Sequence, residues 1–275
     1  MSTPTSLDLP EGVEATTIET SRGPFATHTI RVSDPAAHVL LIPGWTGSKE
    51  DFTPLLPLLA SIGFDATAYD QRGQFETPGA DDDDYSLDGF AADAASLARE
   101  CSTKPSHLLG HSFGGLVAQT AALETTSTWR TLSLLCTGPG ALGESAERPL
   151  SKLASALGTV PLAEIHRIRE NGMKRLPDIG AFLERRFTSN SVASLQAMTV
   201  HLMQAPDLIT GMQHLRLPVW VGRGEDDDAW PHDAQAAMAE RLGVDIHVIG
   251  DSAHSPAVEN PQGLADAWIP FLLEN

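Results

Sequence analysis

The chain has 275 residues, of which 36 are acidic and 18 are basic, so its formal net charge is −18. Hydrophobic residues make up 41% of the chain, which is enough for a sizeable core and too much for a disordered polypeptide. The acidic excess argues against a nucleic-acid-binding surface, which needs clustered Lys and Arg, and against a polybasic membrane-binding patch. This length is compatible with one large α/β domain carrying an insertion or with two smaller domains.

Cysteine content and the first residues bear on the cellular compartment. The two cysteines, Cys101 and Cys136, cannot make a disulfide framework, and two free thiols fit a reducing compartment. Residues 1–11 lack the basic run and apolar stretch of a signal peptide, and no segment approaches the ~18 apolar residues of a membrane span. We therefore expect a cytoplasmic protein, either a monomer or a homodimer.

Strand and helix patterns alternate along most of the chain. Runs rich in β-branched and apolar residues predict eight strands: Val13–Thr20, Phe25–Val32, His38–Ile42, Phe64–Tyr69, Ser106–Gly110, Thr131–Cys136, Pro218–Gly222 and Val244–Ile249. Apolar residues at helical spacing predict helices over Asp51–Ile62, Ser86–Cys101, Phe113–Leu123, Asp233–Leu242 and Pro261–Leu273. The first two strands are typical of an antiparallel hairpin. The alternation that follows predicts a mostly parallel sheet with helices on both faces.

Residues 140–212 interrupt this alternation, because their composition is helical and no strand pattern divides them. Candidate helices cover Leu150–Leu157, Pro161–Met173, Ile179–Phe187 and Ser191–Met203. A long helical insertion between two strands is expected to cap the carboxyl edge of the sheet. We therefore predict a core domain of residues 1–139 and 213–275 with an all-helical cap of residues 140–212.

The strongest local motif is Gly110-His111-Ser112-Phe113-Gly114-Gly115, which follows an apolar strand and opens a helix. Glycines flanking a sharp strand-to-helix turn have no Cβ to obstruct it, so the turn can present the Ser112 hydroxyl above the sheet edge. The Phe113 amide then lies at a helix N-terminus, where unpaired N–H groups favour negative charge. The motif predicts a nucleophilic serine beside an oxyanion-binding amide.

A serine nucleophile needs a base that is oriented by a third group. His254 follows the last predicted strand in a loop of small residues, and a run of acidic residues, Glu225–Asp228, follows the preceding strand. The chain order serine, aspartate, histidine is one of the orders known for such triads and belongs to the α/β-hydrolases.

The chain resembles an α/β-hydrolase-fold protein with a helical lid from about Val13 to its C-terminus. The matching segments are Leu41–Gly47, Asp70–Gly73, the serine motif, Gly224–Pro231 and Ala253–Ser255. In this family the catalytic Asp lies three residues after a Gly and four before a Pro, which places that role on Asp227, with Asp226 and Asp228 as rivals. Another family arrangement puts the acid after the strand ending at Cys136, where this chain offers no carboxylate.

The resemblance also implies a second oxyanion donor, the backbone N–H that follows a His-Gly pair after the third strand. Here the pair is Pro43-Gly44, so the donor is Trp45. The amide is retained, but the histidine side chain that helps to hold the loop is lost. His111 is interpreted as a packing residue or as a neighbour of the reacting groups.

These residues predict a serine hydrolase that forms an acyl-enzyme on a small to medium hydrophobic carboxylic ester, without cofactor or metal. A thioester, lactone, amide or diketone carbon–carbon bond is an alternative substrate, and a slow-turnover ligand sensor is an alternative class. Haloalkane dehalogenase and epoxide hydrolase chemistry are disfavoured, because those relatives carry Asp at the position of Ser112. Six basic residues of the insertion could bind a substrate carboxylate or form a solvated or docking face: Arg167, Arg169, Lys174, Arg175, Arg185 and Arg186.

Overall fold

The computed structural model describes residues 2–275, together with the side chains of all of these except residues 144–148. Within this range eight strands form a single sheet. They are β1 (Val13–Thr20), β2 (Gly23–Ile30), β3 (Ala37–Ile42), β4 (Phe64–Tyr69), β5 (Ser106–His111), β6 (Trp129–Leu135), β7 (Val219–Gly224) and β8 (Ile246–Ile249).

The strand order across the sheet is β1-β2-β4-β3-β5-β6-β7-β8. The pairs β1–β2 and β2–β4 are antiparallel, and all the other neighbouring strands are parallel. Every residue of β3 and of β5 is buried, as expected for parallel strands that are covered on both faces. The predicted mostly parallel eight-stranded sheet is therefore confirmed.

Eleven α-helices lie within the described range. They are α1 (Leu56–Ser61), α2 (Leu87–Cys101), α3 (Phe113–Glu124), α4 (Glu144–Ala156), α5 (Leu162–Arg169), α6 (Pro177–Thr188), α7 (Val192–Gln204), α8 (Ile209–Met212), α9 (His232–Leu242), α10 (Pro256–Glu259) and α11 (Pro261–Glu274). Helices α2, α3 and α9 contribute to the core on one face of the sheet, and α1 and α11 to the core on the other. None of the helices in the described range is long and apolar enough to cross a membrane.

Several predicted helices have other bounds in the structure, and one of them is divided. The segment predicted as a helix over Asp51–Ile62 divides into a 3-10 helix, Lys49–Leu55, and the short helix α1. Pro54 lies inside the 3-10 segment, and because it has no N–H it cannot donate to an α-helical hydrogen bond. Pro57 is tolerated at the start of α1, where the N–H groups have no partner within the helix.

The segment between β6 and β7 holds the five helices α4–α8, which we call the inserted helices. Their division from the rest of the chain as a separate cap domain stays a prediction. The loops that follow β3, β5, β7 and β8 all leave the carboxyl edge of the sheet, because these strands run parallel to one another. This topology gathers segments that are far apart in the sequence at one edge.

Candidate functional site

Ser112 lies at a sharp turn between β5 and α3. Its dihedral angles are φ 56° and ψ −121°, and a positive φ of this kind costs about 1–3 kcal/mol in a non-glycine residue. Neighbouring strand ends hold the turn: Ser112 N–H donates to Leu135 O at 2.9 Å, and Thr137 Oγ1 donates to Ser112 O at 2.8 Å. A Cβ on Gly110 would collide with the backbone of Gly114, so the turn requires glycine there.

His254 and Asp227 lie beside this serine. His254 Nε2 is 3.0 Å from Ser112 Oγ, and His254 Nδ1–H donates to Asp227 Oδ1 at 2.8 Å. Asp226 and Asp228, the two rivals for the acid, are exposed instead. The structure thus brings Ser112, His254 and Asp227 into one hydrogen-bonded chain, an arrangement in which the imidazole can accept the serine proton.

The environment of Asp227 keeps its carboxylate ionised. Ala229 N–H donates to Oδ1 at 3.0 Å, and Gln235 Nε2 donates to Oδ2 at 2.8 Å. Burial opposes ionisation, but the hydrogen bonds from His254, Ala229 and Gln235 outweigh it and lower the pKa of Asp227 to about 2. At neutral pH the carboxylate is therefore charged and can stabilise an imidazolium at His254.

His111 supports the loop that carries His254. Its Nε2–H donates to the backbone oxygen of His254, and the two rings lie 4.9 Å apart. Burial, with a further contribution from His254, lowers the pKa of His111 to about 3, so this ring is neutral. The contact agrees with its interpretation as a neighbour of the reacting groups.

The loop after β3 passes close to Ser112. A Cβ on Gly44 would lie only 3.0 Å from Ser112 Cβ, so glycine allows this approach. Gln71 Nε2 donates to Pro43 O at 2.9 Å, and Gln74 Nε2 donates to Gly44 O at 3.0 Å. These two glutamines hold the loop where the resemblance led us to expect a histidine.

Trp45 and Phe113 carry the two amides expected to bind an oxyanion. Phe113 is the first residue of α3, so its N–H has no acceptor within the helix. Trp45 follows Gly44, and its indole Nε1–H donates to Thr199 Oγ1 of α7 at 3.1 Å. Arg169 Cζ lies 4.7 Å from the centroid of the same indole. The inserted helices therefore fix the side chain of Trp45, whose backbone N–H is the expected second oxyanion donor.

A cavity of about 500 Å³ opens beside Ser112 and His254. Its apolar walls include Trp45, Leu142, Leu150, Leu202 and Trp230. Leu142, Leu150 and Leu202 belong to the segment between β6 and β7 that holds the inserted helices. Ile168, in the same segment, is 60% exposed instead.

Comparison with known proteins identifies the family. The model of the alpha/beta hydrolase family matches residues 39–267. The chain belongs to the alpha/beta hydrolase family. A protein of Variovorax paradoxus named as a carbamate hydrolase, RutD, is 36% identical, with 85% of this chain and 91% of that protein covered. A second RutD, from Pantoea ananatis, is 26% identical, with 87% and 88% covered.

Solved structures share the fold of this alpha/beta hydrolase at low sequence identity. A protein of Acinetobacter baumannii described as a lipase superposes with a TM-score of 0.80 at 19% identity, covering 96% of this chain and 92% of that one. A thermophilic esterase of Thermogutta terrifontis gives a TM-score of 0.76 at 22% identity, covering 95% and 98%.

Several residues of this hydrolase that surround the reacting groups carried no sequence signal. Gln235 lies in α9, eight residues after Asp227, and nothing in its spacing indicates that it donates to that carboxylate. Gln71 lies within the matching segment Asp70–Gly73 and Gln74 directly follows it, but neither position indicates a contact with the loop after β3. Arg169 was one of six basic residues for which the sequence left two interpretations, the binding of a substrate carboxylate or a solvated or docking face.

One group of potential metal ligands lies within the described range. The ligand atoms of His111, Cys136 and His254 all lie within 4.8 Å of one another. Both ring nitrogens of His254 already contact Asp227 and Ser112, and burial raises the pKa of the Cys136 thiol. A metal ion bound there would break the hydrogen bonds of His254 to Asp227 and Ser112. These residues therefore fit proton transfer better than metal binding.

Proposed function

We propose that this protein is a serine hydrolase that forms an acyl-enzyme on a small to medium hydrophobic carboxylic ester. Ser112 is the nucleophile, His254 the general base and acid, and Asp227 the orienting carboxylate. The backbone N–H groups of Trp45 and Phe113 form the oxyanion hole. The observation that carries the proposal is the hydrogen-bonded chain from Asp227 through His254 to Ser112 at the wall of an apolar cavity.

The reaction follows from these positions. His254 Nε2 accepts the Ser112 proton while Oγ attacks the ester carbonyl carbon, and the resulting oxyanion accepts hydrogen bonds from the two amides. The tetrahedral intermediate collapses as His254 returns the proton to the departing alcohol. Water then attacks the acyl-enzyme with His254 again as base, which releases the acid and regenerates the serine.

The cavity supports the choice of substrate class. A volume of about 500 Å³ and walls of Leu and Trp side chains favour an acyl or alkyl group of moderate size over a polar substrate. No metal or organic cofactor enters this mechanism. The same residues can also activate thioesters, lactones, amides and diketone carbon–carbon bonds. These compounds are therefore the alternative substrates to test against esters.

A carbamate is the second candidate substrate. It is favoured by the 36% identity to a protein named as a carbamate hydrolase, over 85% of this chain. A carbamate presents the same carbonyl geometry to Ser112 but reacts more slowly, because its nitrogen donates electron density to the carbonyl carbon. A higher kcat/KM for an alkyl carbamate than for the ester of matching length would favour this candidate over the ester.

The experiment combines active-site labelling with a substrate panel. The wild type is expected to react with a fluorophosphonate probe and to hydrolyse p-nitrophenyl esters of short to medium acyl chains. Ser112→Ala is expected to lose both activities while keeping the wild-type melting temperature. Ser127→Ala, at an exposed serine just after α3, is expected to behave as the wild type.

Two results would contradict the proposal. Full labelling of Ser112→Ala would show that another group is the nucleophile. Tight ligand binding with little turnover of any substrate in the panel would favour the ligand-sensor alternative.

A further inference from the structure

The backbone oxygen of Gly44, in the loop after β3, accepts two hydrogen bonds. Gln74 Nε2 donates to it at 3.0 Å, and the N–H of Gly47 donates to it at 3.0 Å. This oxygen and the N–H of Trp45 belong to the same peptide group. In a trans peptide the C=O and N–H bonds point in opposite directions, and the described residues contain no cis peptide bond. The two donors therefore fix the direction of the Trp45 N–H, the proposed second oxyanion donor.

The side of the loop opposite Gln74 is the side that faces the cavity. Gln74 is fully buried and is not one of the described residues that line the cavity, whereas Gly44 and Trp45 both line it. Gly44 also lies against Ser112, since a Cβ on this glycine would be 3.0 Å from Ser112 Cβ. Within the described range the N–H of Trp45 has no hydrogen-bond acceptor, which leaves it free for an acceptor in the cavity.

The side-chain amide of Gln74 has one favourable orientation. Its Oε1 accepts the backbone N–H of Gln71 at 3.2 Å, which leaves Nε2 to donate to Gly44 O. Exchange of the two groups would set an N–H against an N–H and an oxygen against an oxygen. Because the side chain is fully buried, water cannot compensate for either contact.

The turn that carries Gln74 is itself bound to the loop after β3. The N–H of Gln74 donates to Gln71 O at 2.8 Å, which closes the turn. Asp70, at the start of the turn, accepts the backbone N–H of Lys49 at 2.7 Å and its Nζ at 3.0 Å. Lys49 lies two residues beyond Gly47, so these contacts hold the far end of the loop. The turn is therefore a fixed support from which Gln74 can orient one peptide group.

We propose that Gln74 is a positioning residue for the oxyanion hole, because its bond to Gly44 O directs the N–H of Trp45 towards the reacting carbonyl oxygen. The proposal rests on the proposed function, since it requires an oxyanion beside Ser112. Gln74 itself does not touch the substrate. The bond between the Trp45 N–H and the substrate oxygen strengthens as negative charge develops on that oxygen. Loss of Gln74 is therefore expected to lower kcat and to leave KM nearly unchanged.

Gln74→Glu and Gln74→Met test this role with side chains of similar length. The ionised carboxylate of Gln74→Glu would repel Gly44 O, so kcat for a p-nitrophenyl ester is expected to fall about 10²–10³-fold, the cost of one oxyanion donor. A protonated carboxyl can donate to Gly44 O, so the loss is expected to shrink as the pH is lowered. Gln74→Met cannot ionise, and its loss of at least about tenfold is expected to be the same at every pH.

The pH series compares each variant with the wild type at the same pH. Division by the wild-type kcat removes the titration of His254, which all three proteins share. Values of this ratio near one for both variants between about pH 6 and about pH 9 would overturn the proposal. A fall in kcat/KM that arises only from KM would overturn it as well, because the interaction would then act on the bound ester before any charge develops.

Gln119→Glu is the matched control. Gln119 is also a fully buried glutamine, and its Nε2 donates to a backbone oxygen at 3.0 Å, that of Gly138. This variant is expected to lower the urea midpoint about as much as Gln74→Glu does and to change kcat by less than about threefold. An equal loss of kcat in both variants would overturn the proposal, because it would mean that any buried carboxylate introduced near the sheet disturbs the site.

An inhibitor that forms an oxyanion tests the amide even where a variant folds only in part. Ser112 Oγ adds to the carbonyl carbon of an alkyl trifluoromethyl ketone, His254 takes the serine proton, and the oxyanion of the adduct accepts the same two N–H groups. Its inhibition constant does not depend on the fraction of folded enzyme. In Gln74→Glu this constant is expected to rise by the factor by which kcat/KM falls. The corresponding alcohol, which forms no adduct, is expected to change by less than about twofold.

These inhibitors also separate failure of the proposal from failure of the proposed function. Equal weakening of the ketone and the alcohol would overturn the role of Gln74, because it would mean that Gln74 only shapes the cavity. If the wild type hydrolyses esters and binds the ketone while both Gln74 variants keep its kcat and inhibition constant, only the role of Gln74 is refuted. If the wild type neither hydrolyses esters nor forms the adduct, the proposed function fails and the role of Gln74 fails with it.

Discussion

Substitution of Gly114 by Ala tests how closely the helix of the proposed nucleophile approaches the loop of the proposed oxyanion hole. Gly114 is the second residue of α3 and packs against the end of β3. A Cβ at this position would lie 2.6 Å from Pro43 O and 2.9 Å from the carbonyl carbon of Ile42, and closer still to Ile42 O. Carbon and oxygen atoms rarely approach within about 3.3 Å, so the contact with Ile42 O requires the helix and the loop to separate by roughly 0.9 Å. All three contacts are backbone atoms, which cannot rotate away as a side chain would.

The expected cost follows from this displacement. Overpacking of a rigid site costs about 1–3 kcal/mol, whereas alanine in place of glycine stabilises a helix by at most about 1 kcal/mol. We therefore expect Gly114→Ala to lower the free energy of unfolding by about 1–2 kcal/mol. Trp45 lies two residues beyond Pro43, so the same displacement moves its amide. Because removal of one oxyanion donor costs about 10²–10³ in kcat, we expect a fall of at least about tenfold.

Gly180→Ala provides the matched control, because this glycine is also in a helix. The nearest atom to its added Cβ is Arg175 Cβ at 3.6 Å, an ordinary van der Waals contact. We expect it to raise the free energy of unfolding by about 0.5–1 kcal/mol and to leave kcat unchanged. Urea unfolding and p-nitrophenyl ester hydrolysis measure both quantities. A Gly114→Ala variant with the wild-type urea midpoint and kcat would refute the reasoning.

Two further substitutions probe buried charges. Lys49 Nζ lies 3.0 Å from Asp70 Oδ2, and both side chains are buried. Because Lys49→Met leaves the Asp70 carboxylate without this partner, we expect it to lower the free energy of unfolding by about 3–5 kcal/mol. An unchanged urea midpoint would contradict this. The pKa of Asp227 is lowered from 3.8 to about 2, so its ionised form stabilises the fold above about pH 4, and this contribution is lost as the pH falls towards 2. Asp227→Asn is expected to remove that part of the pH dependence of stability and to lower kcat about 10⁴-fold. If the urea midpoint of this variant kept the wild-type pH dependence, that result would count against the assigned pKa.

Local sequence patterns determined most of the secondary structure. The bounds of β1 and β4 agree with the predicted strands Val13–Thr20 and Phe64–Tyr69, because each is a run of strand-forming residues that ends at a turn. The serine turn was also predictable, since its glycines and its strand and helix lie within a few residues of one another. The short helices α8 and α10 were not predicted, because four residues are too few to show a helical period.

Sequence also named Ser112, His254 and a preferred acid, but its own pattern left three adjacent aspartates as candidates for that role. The tertiary structure turns Asp227 towards His254 and leaves its neighbours exposed. The partners Gln235, for Asp227, and Arg169, for Trp45, likewise depend on how a helix docks against a loop. Periodicity reports which face of an element is apolar, whereas the register of a parallel sheet and the docking of inserted helices decide which distant side chains meet. The candidate reactive residues were therefore evident in the sequence, and only the folded chain decided which charges surround them.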